Sequence, residues 1–200
     1  RGVRILVDAD RDLERAAADV EAKQASTGPP VPAADGQEGQ PSLVLADTTF
    51  LRTLPSRERQ SGVYEIVKCG LLRSESLLRL VERTRGLRRV SGGDLETAIA
   101  EAVRIKARIV ERDERESGER VALSLGHTLG HALETATSYR VFTHGEAVGY
   151  GMDFAVHLSQ RLGLATPASA RRMLRATRAA GRRTPLPAAL VSRTQEGVRS

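Results

Sequence analysis

DLETAIAEAVRIKARIVERDE, residues 94–114, carries apolar side chains at Leu95, Ile99, Ala102, Val103 and Ile109, a spacing that winds onto one face of a helix. Asp94 stands ahead of them as an N-cap, its carboxylate placed to accept from the first free backbone N–H groups. Working outward, the same period recurs. GEAVGYGMDFAVHLSQRLG gives a stripe of Val148, Met152, Ala155 and Leu162 ended by Gly163. PASARRMLRATRAAG makes a last amphipathic helix, and RTPLPAALVSRTQEGVRS after it reads as a frayed end. In the other direction Pro55 opens a helix through SRERQSGVYEIVKCGLL, with Ile66, Cys69 and Gly70 on one face.

The N-terminal fifth is different. RGVRILVDA reads as a short strand, DRDLERAAADVEAK as a polar helix, and STGPPVPAADGQEGQP (26–41) as a loop without helical or strand period. PSLVLAD beyond it is a buried strand candidate bounded by Pro41 and Asp47. The expected fold is therefore mainly α, with a small β and loop element at the N-terminus, divided into residues 1–40 and a helical domain over 41–200.

Composition agrees with this. At 40% apolar content a chain of 200 residues can close a core, and with 3% aromatics and no Trp that core is built from Leu, Val, Ile and Ala. The net charge of +6 favours anionic partners, but aromatics interleaved with the basic residues, which would stack single-stranded bases, are missing. A small phosphorylated or carboxylated substrate is expected, not a nucleic acid. One cysteine, Cys69, excludes an intramolecular disulfide. With neither a leader pattern nor a membrane-length apolar run, the chain reads as cytoplasmic, not membrane-bound.

Four histidines occur in the chain, and two lie four residues apart in GHTLGHALE (126–134), with a third in HGE at 144–146. Residues i and i+4 share a helix face, so His127 and His131 point into one pocket. A catalytic zinc takes three protein ligands and leaves a position open. The candidates are His127, His131, His144, Glu65, Glu134 and Glu146. Thr128, Leu129 and Gly130 between the histidines rule out the HExxH arrangement of a zinc protease. Gly126 and Gly130 allow a ligand or another backbone to approach closely. His157, a lone histidine outside these motifs, reads as structural.

LGHTLGHALE followed by HGEAVGYGM resembles the 3-dehydroquinate synthase family of sugar-phosphate cyclases, as does LADTTFLRTLPSRERQSGVYEIVKCGLL upstream, over a span from Pro41 to about Gly163. The resemblance implies Glu65, His127 and His144 as ligands of a catalytic zinc or cobalt ion. It implies His131 as a group assisting proton transfer beside the substrate, and Lys68, Lys106 and Arg120 as basic residues around its phosphate and carboxylate. Of the three lysines in the chain, two fall on those positions. Aligning RGVR without gaps puts Lys23 on the lysine of the family's NAD-contacting glycine-rich segment. The implied reaction is NAD- and metal-dependent phosphate elimination and cyclisation of a seven-carbon 2-keto-3-deoxy sugar-acid phosphate to 3-dehydroquinate, in a protein that is usually a homodimer.

The chain also departs from the family. The nucleotide-binding half expected upstream of RGVR is absent, so residues 1–40 read as a remnant of its end. Residues 9–36 lack the family's glycines and its GKN, Ser124 stands where the family has asparagine, and a C-terminal DKK segment has no counterpart. The alternative is therefore a truncated or diverged relative that binds metal without turnover.

Overall fold

The structure, a computed structural model, describes residues 4–6, 43–87, 92–113, 115 and 117–188. The expected helix over 10–23, Lys23 within it, and the expected division at residue 40 lie outside these. Strand β1 (Arg4–Leu6) pairs in parallel with β2 (Leu43–Leu45), Arg4 opposite Leu43 and Leu6 opposite Leu45. Asp47 then caps a short 3-10 helix, Thr48–Arg52, accepting from Thr49 N at 2.8 Å. Every described element that follows is a helix.

Helix α1 (Ser56–Arg73) starts directly after Pro55, whose carbonyl accepts from Glu58 and Arg59 N–H at 3.0 Å. A missing N–H costs nothing at a helix start, which is why proline fits there. From Val63 to Gly70 every residue except Glu65 is buried, so the helix is covered nearly all round. It is the axis of the domain, packed by α2 (Glu75–Arg83), α3 (Gly92–Arg112), α5 (His144–Arg161) and α6 (Pro167–Ala179). Val67, Val81, Ala98, Ile105, Val148 and Met152 from four helices meet in one core, and each large apolar side chain so buried contributes about 1.5–3 kcal/mol. A smaller cluster of Val156, Ala170 and Leu174 joins α5 to α6.

Helix positions follow the sequence periods, but their phases do not always do so. In α3 the buried line is Ala98, Ala102, Ile105 and Ile109, while Leu95, Ile99 and Val103 flank it half-buried. Two of the four residues on that line are alanines, Ala98 and Ala102. Asp94 falls in the first turn of α3 instead of capping it; there its charge still complements the helix dipole. Leu162 is exposed beyond the last residue of α5, and Gly163 turns the chain at φ +71°.

The expected frayed end is also corrected up to Ala188, the last described residue. Tyr64 Oη donates to the Gly181 carbonyl at 3.0 Å and Tyr150 Oη to the Thr184 carbonyl at 2.9 Å. Arg183 lies 4.5 Å over the Tyr150 ring and pairs with Asp153. These ties are made to main-chain carbonyls and by a single arginine, so no periodic pattern announces them.

Candidate metal centre

Helix α4 (His127–Ala136) begins with the first histidine. Gly126 before it has φ +84°, a left-handed conformation that glycine adopts without steric cost. Helix α5 begins with His144, and its start is fixed by a capping box: Thr143 accepts from Glu146 N while the Glu146 carboxylate accepts from Thr143 N at 3.0 Å. The two helices thus deliver a histidine each at their first residue. They also approach closely: a Cβ built on Gly130 would sit 3.2 Å from Val148 N, and one on Gly145 would fall 2.0 Å from the Ser61 carbonyl oxygen of α1. What approaches these glycines is another backbone, which brings His144 beside Glu65 on α1.

Glu65, His127 and His144 each offer a ligand atom, and the three atoms lie within 4.8 Å of one another. His127 and His144 have ring centroids 5.2 Å apart, and His131 stands 5.3 Å from His127 and 5.8 Å from His144. The i,i+4 pair therefore does face one pocket, with the third histidine completing it. A set of two imidazoles and one carboxylate, with a further position open, suits a catalytic zinc or cobalt ion. One ring nitrogen, His127 Nδ1, is buried with no hydrogen-bond partner, which costs free energy unless a ligand satisfies it. Burial, with the charge of Lys68 second, pushes His127 below the ordinary imidazole range, keeping it neutral as a metal ligand must be.

Two of the basic residues singled out in the sequence surround Glu65. Lys68, 2% exposed, gives Nζ to Oε1 at 2.9 Å, and Lys106 of α3 gives Nζ to Oε2 at 2.7 Å. For Lys68, burial lowers the pKa against the opposing pull of Glu65. Arg120 lies on a second 3-10 helix, Glu119–Ser124, that leads into α4; its backbone N–H donates to Asp113 Oδ2 at 2.9 Å. Ser124, at the end of that segment, is exposed. Cys69, next to Lys68, is a fully buried free thiol whose pKa burial raises, which makes it packing and not a nucleophile.

Of the other carboxylates considered as ligands, Glu146 faces away from the histidines. It pairs with Arg57 at 2.7 Å and accepts from Thr143 and Thr184, so it caps α5 and ties α1 to the C-terminal segment. The T-x-x-E spacing of Thr143 and Glu146 was the available signal. Glu134 contacts both His131 and His144. His157 is exposed on α5.

Burial alone raises the pKa of Glu65, but the hydrogen bond and charge of Lys106, followed by Lys68, outweigh it and bring the group down from 4.5 to about 2. A carboxylate depressed in the folded state contributes stability that is complete above its unfolded value and is lost as pH falls through the folded one. In chelator-treated protein, stability from urea melts is expected to decline between pH 4.5 and about 2. Glu65→Gln flattens that decline by on the order of 2 kcal/mol, allowing for solvent at a 24% exposed side chain. An identical pH slope in the variant contradicts the two ion pairs.

The chain is similar to known proteins of one family and to solved structures. The family described as 3-dehydroquinate synthase C-terminal matches residues 62–197. The chain is 45% identical over 143 residues to a 3-dehydroquinate synthase of Pelotomaculum thermopropionicum, covering 71% of this chain and 38% of the relative. It is 50% identical over 125 residues to that of Halorhodospira halophila, covering 62% and 35%. Among solved structures it is similar to ValA, the 2-epi-5-epi-valiolone synthase of Streptomyces hygroscopicus subsp. jinggangensis, which has NAD+ and Zn2+ bound. There the TM-score is 0.62 at 27% identity, over 79% of this chain and 46% of that one. A 2-deoxy-scyllo-inosose synthase complexed with carbaglucose-6-phosphate, NAD+ and Co2+ gives a TM-score of 0.61 at 29% identity, over 68% and 38%. The chain spans well under half the length of the relatives it matches, 38% of the first.

Proposed function

We propose, from the premise that this chain belongs to the 3-dehydroquinate synthase family by its C-terminal domain, that it is the metal- and substrate-binding part of such a synthase. The reaction is NAD- and metal-dependent loss of phosphate from a seven-carbon 2-keto-3-deoxy sugar-acid phosphate, with cyclisation to 3-dehydroquinate. The observation that carries the proposal is the convergence of Glu65, His127 and His144 from three helices on one point.

In this reading Glu65, His127 and His144 hold a zinc or cobalt ion, which when bound polarises substrate oxygens. Lys68 and Lys106 keep Glu65 ionised and present positive charge to the anionic substrate. A compact ammonium suits a single phosphate or carboxylate oxygen, and a guanidinium such as Arg120 a paired contact. His131, 59% exposed beside the other two rings, accepts and returns a proton at the substrate. Lys23 would contribute on the NAD side, and the reading extends to a cytoplasmic homodimer. Among the described residues no helix is long and apolar enough to cross a membrane.

A second reading, metal binding without turnover, rests on the departures from the family's pattern at residues 9–36 and at Ser124. One assay separates the two. Phosphate release from the seven-carbon phosphorylated acid is followed with NAD and zinc. Release that needs the metal, and that falls about 100-fold or more in His131→Ala, supports the synthase. One zinc per chain without release singles out the second reading, and neither zinc nor release refutes both.

A further inference from the structure

Glu134 breaks two local rules. It lies in the last turn of α4, where a negative charge opposes the helix dipole, and it is only 5% exposed, although burying a carboxylate is costly unless it is well partnered. Its side-chain partners are two imidazoles: Oε2 lies 2.9 Å from His131 Nδ1 and Oε1 lies 3.2 Å from His144 Nδ1. One acid sits beneath two half-exposed rings and holds each with a different oxygen.

We propose that Glu134 is the positioning residue of the site, locking His131 and His144 together in the tautomer that their separate tasks require. An ionised carboxylate only accepts hydrogen bonds, so both Nδ1 atoms must carry the proton. In each neutral ring the lone pair is then on Nε2. For His144 that leaves Nε2 as the ligand atom toward Glu65 and His127; for His131 it leaves Nε2 to take a proton from substrate. A single carboxylate thereby couples the metal ligand to the proton-transfer group and fixes both ring planes. Carboxylates behind metal-bound histidines generally act in this way. Here the same group also serves a histidine that is not a ligand.

This inference rests on the metal reading above, and the test separates the two. Glu134→Gln keeps the shape but has one accepting oxygen and one donating NH2, so it satisfies only one Nδ1–H. The other ring must present Nδ1 as an acceptor and move its proton to Nε2. In chelator-treated protein at about pH 8, above the ordinary imidazole range, 15N spectra are expected to show both His131 and His144 protonated at Nδ1. In Glu134→Gln one of them switches to Nε2, and zinc titration gives an affinity 10- to 100-fold weaker, with helix content by circular dichroism unchanged. A wild-type spectrum with either ring protonated at Nε2 overturns the proposal without recourse to any variant. So does zinc affinity within twofold of wild type in Glu134→Gln. Two zinc ions per chain, one of them lost in Glu134→Gln, also overturn it, because Glu134 would then be a ligand in the His131, Glu134 and His144 grouping. A wild-type protein that binds no zinc but shows both Nδ1 protons, with the switch in Glu134→Gln, defeats the metal reading and supports the tautomer lock.

Discussion

His144→Ala is expected to weaken zinc binding by roughly 100-fold or more, and His127→Ala by at least as much. Zinc sites of four protein ligands bind with roughly 10–16 kcal/mol, so one ligand accounts for about 3 kcal/mol, two orders of magnitude in the dissociation constant. The two variants differ in what else they disturb. His144 has a 44% exposed side chain, so its removal leaves packing nearly intact, but it also takes a partner from the buried Glu134 carboxylate. His127 is more enclosed, with a buried and unsatisfied Nδ1, so its loss also relieves an unpaired polar atom. The control is His157→Ala, exposed on the same helix as His144 and expected to keep the metal. Metal content by elemental analysis and calorimetric titration decide the matter. Stoichiometric zinc persisting in both His127→Ala and His144→Ala would falsify the centre.

Gly151→Ala is expected to be, with Gly145→Ala, among the most damaging single methyl additions in the domain. A Cβ there would lie 1.9 Å from the Gly126 carbonyl oxygen, an atom of the main chain that no rotamer change can move. The turn at Gly126 cannot shift freely either, because a Cβ on Gly126 itself would meet the Val148 carbonyl oxygen at 2.6 Å and its φ is +84°. Overpacking of this kind costs about 3 kcal/mol or more, which lowers Tm by roughly 10 °C in a chain of this length. The same displacement moves His127, the next residue, so zinc affinity falls with stability. Gly62→Ala provides the contrast: nothing lies within 4 Å of its added methyl, and in mid-helix the change stabilises by about 0.5–1 kcal/mol. Thermal melts of the two variants moving in the same direction would contradict the contact.

The helical elements were legible because each rests on contacts within a few residues. Pro55, the apolar period of 94–114 and the stripe from Val148 all act through i to i+4 geometry, and the helices stand where those signals put them. Their phases were less legible. In α3 the buried line runs through Ala98 and Ala102, because what decides it is which other segments pack against the helix. The tie of residues 181–184 onto Tyr64 and Tyr150 was not legible at all, since it uses carbonyls that every residue possesses.

For the site, the sequence by itself determined that His127 and His131 share a face, that His144 follows shortly in HGE, and that three glutamates stand among the candidates. The family resemblance picked out Glu65, but only the tertiary structure gave each glutamate its partners: Glu65 beside His127 and His144 and held by two lysines, Glu134 beneath two rings, Glu146 turned to Arg57. A carboxylate has the same chemistry wherever it occurs. Its task is set by partners as far as 89 residues away along the chain, as for Arg57 and Glu146, brought near by helix crossings that bare glycine backbones allow.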